Sequence, residues 1–457
     1  MKLFRILCKN VRPFKEIPSP KAYPFIGHSY LFFEKGPYDK DKLTEAAQDL
    51  SLKLGPVFYL KFPGQSFVIT TDSENASKIF QFEGKYPDRV TLPALSLYHQ
   101  RTFGAVGVVP GNGPNWYKLR KALAPLLSKS YLSNYIDANN HVADKFVAYI
   151  RNRRDENCIL TNLCSHMYRY SIECMSIVCP GRQLSDEENL KKIIRGSCTF
   201  MDGLFTTYSE PPVWKCFKTK GYRELERGHN LINEFMYKEM NKPVNEWNDS
   251  FMKILFQDSN LSLNEARVLA TEVFLSGIDS ISTAITMTLY YLSHNEKCQN
   301  AALNDINNNS TSYLRACFKE TLRLSSTAGG TTRALPVDVV MNGYLIPAHT
   351  YITAFHSAMS VSEEYFEDSQ IFKPERWLHS EKVAKKNQYS NFASLPFGFG
   401  ARMCPGRWLS EQESVILLKA ILKTFKLEPI TPPNVGMIYR MNRIPERSID
   451  IKFVNRR

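Results

Sequence analysis

The stretch Pro396 to Trp408, PFGFGARMCPGRW, presents one thiol, Cys404, in a loop punctuated by Gly398, Gly400 and Gly406, with Arg402 two residues ahead of it. Glycine opens backbone conformations closed to other residues and clears side chains from the path of a flat ligand. A thiolate at Cys404, just before a helix expected to open near Gly406, is favoured by the positive helix end, by backbone N–H groups facing the sulfur and by the Arg402 cation. A reactive thiol and a small buried structural cysteine are the two uses open to such a residue.

Other residues carry chemistry through their spacing. Glu320 and Arg323, in ETLR, stand three apart in a helical stretch from Leu314 to Leu324 and project from one face, where a planar guanidinium can grip the carboxylate through two hydrogen bonds. A solvated surface bridge is the plainer use of such a pair. Ser262 followed by Glu265 makes a capping box ahead of a long apolar-rich helix reaching Leu292. Within it lies LSGIDSIST, where Gly277 costs about 1 kcal/mol of helix propensity against alanine. That cost predicts a kink or a close approach by something bulky.

The elements that must position these residues are mostly helical. Val57 to Leu60 and Phe67 to Thr70 read as a hairpin across the turn PGQS, and VVMNGYLI as strands about a central Asn-Gly turn. Helical periodicity marks Asn115 to Leu127, His141 to Ile150 and the segment from Arg407 onward. Among the 457 residues, 43% hydrophobic and 23% charged, no long repeat or low-complexity segment and no linker-like break occurs. The reading is a mainly α chain with small β-sheets, one large domain over residues 21–457 behind a distinct N-terminus, residues 1–20.

Charge and cysteine usage narrow the partners. The excess of 58 Lys+Arg over 45 Asp+Glu gives a net charge of +13, which suits an anionic membrane surface or an acidic protein. Because the basic residues are scattered rather than striped with aromatics, nucleic acid is not an expected partner. Ten cysteines without CxxC pairs argue against a disulfide framework or zinc module, and for mostly buried thiols in a reducing compartment. Lys2, Arg5, Lys9, Arg12 and Lys15 precede the first acid, Glu16, with Leu3, Phe4, Ile6, Leu7 and Val11 between them. With no run of about 20 apolar residues to follow, this start reads as a mitochondrial presequence rather than an anchor, a frayed basic tail being the alternative.

The loop FGFGARMCPG resembles the haem-binding loop of the cytochrome P-450 superfamily, Phe-x-x-Gly-x-Arg-x-Cys-x-Gly, matched at Phe397, Gly400, Arg402, Cys404 and Gly406. The family's other signatures occur in the expected order: WYKLR with Trp116 and Arg120, ETLR with Glu320 and Arg323, and PERW with Arg376. The resemblance implies a cytochrome P-450 fold carrying haem b, with Cys404 as the axial thiolate ligand. It also implies that Trp116, Arg120, Arg333 and Arg402 hold the haem propionates, with Phe397 and Gly406 shaping the haem face, and that Glu320, Arg323 and Arg376 form a buried triad. Gly277-Ile278-Asp279-Ser280 is similar to the family's Gly-x-Asp/Glu-Thr motif, with serine for threonine. By that likeness Gly277 leaves room for the oxygen substrate, and Asp279 and Ser280 relay protons. An ordinary helix serine bonded back to a carbonyl is the alternative use of Ser280.

EGKYPDR (Glu83 to Arg89) and GNGPNWYKLRKALAPLL resemble the animal mitochondrial branch of the superfamily. That branch implies a matrix-side, peripherally membrane-associated enzyme fed by an acidic adrenodoxin-type ferredoxin and its NADPH-dependent reductase, docked through Arg315, Lys319 and Arg407. Two departures stand out: LRLSSTAGG lacks the proline common after Leu-Arg-Leu, and Trp408 stands where the branch often has a second arginine. The segments assigned to substrate by the resemblance, 92–109, 274–281 and 325–332, are apolar with small hydroxyl residues. They point to a sterol or steroid, ecdysteroids among them, and a monooxygenase. The alternatives are a xenobiotic or fatty-acid hydroxylase of the same family, a haem-thiolate isomerase and a non-catalytic haem-binding protein; the retained Asp279 and Ser280 argue against the last two.

Overall fold

The computed structural model describes residues 11–184, 186–378 and 390–456. Of the presequence expected over residues 1–20, residues 1–10 lie outside them, while the Arg12 amide donates to the Gly343 carbonyl (2.8 Å), the Pro18 carbonyl accepts from the Tyr59 amide (2.9 Å) and Ile17 is buried. The chain forms two compact units, each drawn from three separate stretches: Met1–Val90, Ala328–Ile371 and Ala384–Cys404 make the first, and Thr91–Thr327, Phe372–Val383 and Pro405–Arg457 the second. Neither unit is contiguous in sequence, which is why no linker is visible in it.

The first unit is built on a four-stranded sheet ordered Val57–Phe62, Gln65–Thr70, Tyr351–Ala354, Thr331–Ala334. The first pair is an antiparallel hairpin with Phe62 opposite Gln65. Its turn is therefore Pro63-Gly64 alone, and Gln65 and Ser66, expected in the turn, belong to the strand. Phe58, Leu60 and Ile69 pack with Leu31 and Leu50 in a small core. A second hairpin pairs Val339–Met341 with Tyr344–Ile346. Asn342 and Gly343 turn it with φ +45° and +81°, both in the left-handed region that an Asn-Gly pair tolerates. The Ser73–Phe82 helix starts at Asp72, whose side chain accepts from the Asn75 amide.

Helices dominate the second unit. Ser262 and Glu265 form the expected reciprocal capping box at the start of the Leu263–Ser276 helix. The long helix expected from there to Leu292 is two: it stops at Gly277 and restarts as Asp279–His294. The stretch Leu263–His294 is long and apolar enough to cross a membrane, with an 18-residue window of mean hydropathy 1.4, yet 83% of that window is buried inside the fold. Its hydrophobicity is spent on the core, where Ala266, Leu269, Phe274 and Ile278 join one large cluster with residues of the Leu163–Val178 and Lys220–Met240 helices. Helices also cover Gly113–Leu123, Ile136–Arg153, Ser312–Leu324 and Arg407–Thr424. The first of these stops at Leu123, short of the Leu127 expected. Small sheets join Ile159–Leu160, Ile451–Asn455 and Phe425–Pro429, and Met437–Arg440 with Asn442–Pro445. None of the nine described cysteines is in a disulfide, but only four are buried, fewer than expected.

Candidate active site

In the first unit the Cys404 loop is bonded to itself. The Cys404 amide donates to the Phe397 carbonyl (2.8 Å) and the Met403 amide to that of Gly400 (3.1 Å). The latter closes a short turn at Gly400–Arg402. Gly398 and Gly400 take φ +70° and +75°. Gly400 answers a further demand: a β-carbon there would fall 2.1 Å from Glu83 Oε1. That buried carboxylate accepts the Ala401 amide (3.0 Å) on one oxygen and Arg333 Nε (2.8 Å) on the other. Gly400 thus makes way, on its β-carbon side, for the protein's own carboxylate. Gly406 has φ −80°, open to any residue, so conformational freedom explains two of the three glycines. Cys404 itself is exposed, which removes the inert buried alternative.

The arginines of this unit gather charge. Arg333 lies buried on the Thr331–Ala334 strand, and Arg402 Nε donates to the Pro87 carbonyl at 2.6 Å. Burial, then the Arg89 and Arg333 guanidiniums, push Arg402 down to about 9, with Asp88 and Glu83 pulling the other way. Three cations facing two acids leave surplus positive charge in a partly desolvated place. Such a surplus fits a group that brings carboxylates of its own, as haem does with its propionates.

In the second unit Glu320 and Arg323 are fully buried and Arg376 is 10% exposed. Arg323 grips the carboxylate twice, Nη2 to Oε1 (2.7 Å) and Nε to Oε2 (3.0 Å). Arg376 Nε (3.0 Å) and the Lys373 amide (3.1 Å) add to Oε1, and Trp377 Nε1 (2.8 Å) to Oε2. Trp377 lies within PERW, but its partner is 57 residues away in the chain, so spacing could not assign it.

At Gly277 the helix breaks and a bulky neighbour approaches closely, as its cost in helix propensity predicts. A β-carbon there would lie 2.4 Å from Met175 Sδ, so on that face the glycine admits a neighbouring helix. Asp279, 4% exposed, is held on both oxygens: Tyr168 Oη donates to Oδ1 and Asn442 Nδ2 to Oδ2. Both donors are neutral, so burial prevails and keeps the Asp279 carboxyl above the ordinary carboxylate range. Ser280 donates weakly back to the Ser276 carbonyl, 3.4 Å away, instead of to Asp279. Tyr168 and Asn442, on a distant helix and hairpin, carry no sequence signal of this role.

Trp116, 3% exposed, and the half-buried Arg120 sit four apart on one face of the Gly113–Leu123 helix. On the Ser312–Leu324 helix Lys319 is exposed, whereas Arg315 is committed to an ion pair with Glu411. The exposed Trp408 ring is flanked by Arg407 (5.0 Å) and Lys129 (5.8 Å), so the surface there stays basic despite the missing arginine.

A family model described as Cytochrome P450 matches residues 17–453. Among curated proteins the chain is 29% identical to "Probable cytochrome P450 49a1" of Drosophila melanogaster, over 98% of this chain and 83% of the relative. It is 27% identical to "Cholesterol side-chain cleavage enzyme, mitochondrial" of Equus caballus (97% and 89%). With "1,25-dihydroxyvitamin D(3) 24-hydroxylase, mitochondrial" of Mus musculus it shares 26% identity (98% and 90%).

Proposed function

Because the chain belongs to the cytochrome P450 family and is a monooxygenase carrying haem b on a cysteine thiolate, we propose that Cys404 is that ligand and that the substrate is a sterol or steroid. The observation that carries this reading is the Cys404 loop, an exposed thiol beside a surplus of arginine charge. Haem, when bound, supplies the activation of dioxygen; one oxygen atom enters a C–H bond, and the other leaves as water with two electrons and two protons.

The chain's own residues do the rest. When haem is bound, Arg333 and Arg402 would hold its propionates, a role the family motif also gives to Trp116 and Arg120 on their helix, and Phe397 and Gly406 would shape the haem face. Glu83 keeps Arg333 in place. The triad of Glu320, Arg323 and Arg376 stiffens the second unit. Asp279, whose carboxyl burial holds above its ordinary range and which Tyr168 and Asn442 steady, hands protons on through the Ser280 hydroxyl once that turns from Ser276.

The word mitochondrial in the relatives' printed names supports mitochondrial residence, which we place on the matrix side, and the net charge of +13 supports an acidic adrenodoxin-type ferredoxin with its NADPH-dependent reductase as the electron source. Lys319 and Arg407 are the docking cations; Arg315 contributes only by leaving Glu411. Exposed Tyr208, Val213 and Phe217, interspersed with Lys215 and Lys218, support peripheral membrane contact. With reduced acidic ferredoxin and a sterol panel, turnover is expected to require oxygen and to fall as ionic strength rises. Turnover insensitive to salt would remove the ferredoxin, and no turnover or spectral shift with any sterol would remove the substrate class.

A further inference from the structure

A buried polar cluster in the second unit joins the 92–109 segment to a helix that no role assigned so far includes. Two adjacent residues of the Pro93–Phe103 helix reach the Lys220–Met240 helix. Tyr98 Oη donates to Asn230 Oδ1 and accepts from Asn233 Nδ2, both at 2.6 Å. His99 Nε2 lies 3.2 Å from His229 Nε2, and His99 Nδ1 lies 2.8 Å from the Val106 carbonyl. A carbonyl can only accept, so His99 Nδ1 carries the proton, His99 Nε2 accepts, and His229 Nε2–H donates. Both rings are 1% exposed and meet Phe103 and Phe200 edge-on. Burial pushes His99 down to about 4 and His229 to about 3, which keeps both neutral and the direction of the bond fixed at neutral pH.

Beyond His99 the chain is fastened a second time. Glu272, on the Leu263–Ser276 helix, accepts the Val108 amide (2.7 Å) on one oxygen and the Val109 amide (3.0 Å) on the other. Gly107 makes that approach feasible: its φ is +88°, and a β-carbon would fall 2.4 Å from Glu272 Oε1. Gly104, at φ +71°, ends the preceding helix. Residues 104–109 thus leave one left-handed glycine, contain another, and are tied by the Val106 carbonyl to one helix through the histidine pair and by two amides to a second helix. Buried polar groups cost stability that an apolar filling would not, and the best-attested return for that cost is one fixed arrangement.

We propose that this clasp fixes the 104–109 segment in the position described, which makes His229 a positioning residue for the substrate. The substrate part rests on the reading that residues 92–109 border its site. Hydrogen–deuterium exchange on the haem-loaded enzyme tests the clasp without any substrate. In His229→Leu, which removes the donor, exchange at the Val108 and Val109 amides is expected to rise about tenfold, with the Ser312–Leu324 helix unchanged. His229→Gln, whose side-chain amide can donate to His99 Nε2, is expected to recover most of the protection. Tyr98→Phe keeps the histidine pair and is expected to give a smaller rise at the same two amides. Unchanged exchange at 108 and 109 in the Leu and Phe variants, or an equal rise in the Ser312–Leu324 helix, overturns the clasp.

Failure of every sterol to turn over would remove the substrate reading and leave the exchange result standing. For any sterol that is turned over, His229→Leu is expected to raise KM at least threefold with kcat within twofold. An unchanged KM overturns the positioning role.

Discussion

A carboxylate as deeply buried as Glu320 survives only because donors reach both of its oxygens, and they come from Arg323, Arg376, Trp377 and the Lys373 amide. Removing one donor should be felt in proportion to its charge-assisted bond. Trp377→Phe, which keeps most of the ring volume, is expected to lower the unfolding free energy by about 1.5–3 kcal/mol, whereas Glu320→Ala, which takes the buried carboxylate away from two guanidiniums, is expected to cost about 3–5 kcal/mol. Denaturant titration measures both, and a neutral Trp377→Phe would contradict the network. The pairing of Glu320 with Arg323 was legible from a spacing of three on a helix. Arg376 came from resemblance, and Trp377 was not legible at all, because a contact across 57 residues leaves no local pattern. Glu83 is the same case: EGKYPDR marked the segment, but nothing in it points 250 residues ahead to Arg333.

Among elements, the capping box and the break at Gly277 were readable because both are set by residues within one or two turns. What fills the break was not, since Met175 arrives from another helix. The packing behind the Cys404 loop is likewise tertiary. His356 opens the short His356–Met359 helix and stacks on Phe80, at 6.4 Å and 10° between planes, and Phe80 in turn meets Phe399 of the loop at 5.4 Å. Burial, opposed by the Phe392 backbone and helped by Arg333, lowers His356 to about 4. The unfolded ring takes a proton near its ordinary value of about 6.5 while the folded ring refuses it, so between these values the unfolded chain binds more protons. This contribution is intact above about pH 6.5 and is lost as pH falls toward 4, by about 3 kcal/mol at most. Buried acids such as Asp279, held above their ordinary range, act in the opposite sense. The test is therefore a difference: His356→Phe, which preserves the stack, should flatten the loss of stability between pH 7 and 4.5 by about 2–3 kcal/mol relative to the parent. Equal slopes would contradict a neutral buried imidazole.

At the scale of the whole chain, class and chemistry were more legible than architecture. Four motifs in order place the chain in its family, and a helix-dominated fold with small sheets follows from hydrophobic periodicity. The two units were not legible, because each is assembled from three stretches and a break in sequence composition marks none of the joins. Charge was legible as a total and misleading in detail: Arg315 counts toward +13 yet is spent on Glu411, while Lys319 stands exposed.

One exposed cysteine, at the end of a self-bonded loop in the first unit, is proposed as the haem ligand. That assignment is tested most directly by the carbon monoxide difference spectrum of the reduced, haem-loaded protein and its Cys404→Ser variant, with circular dichroism verifying that the fold is kept. The account predicts a thiolate-type spectrum in the parent that is absent from the variant. The same thiolate-type spectrum in Cys404→Ser would show that another residue holds the iron and would contradict it.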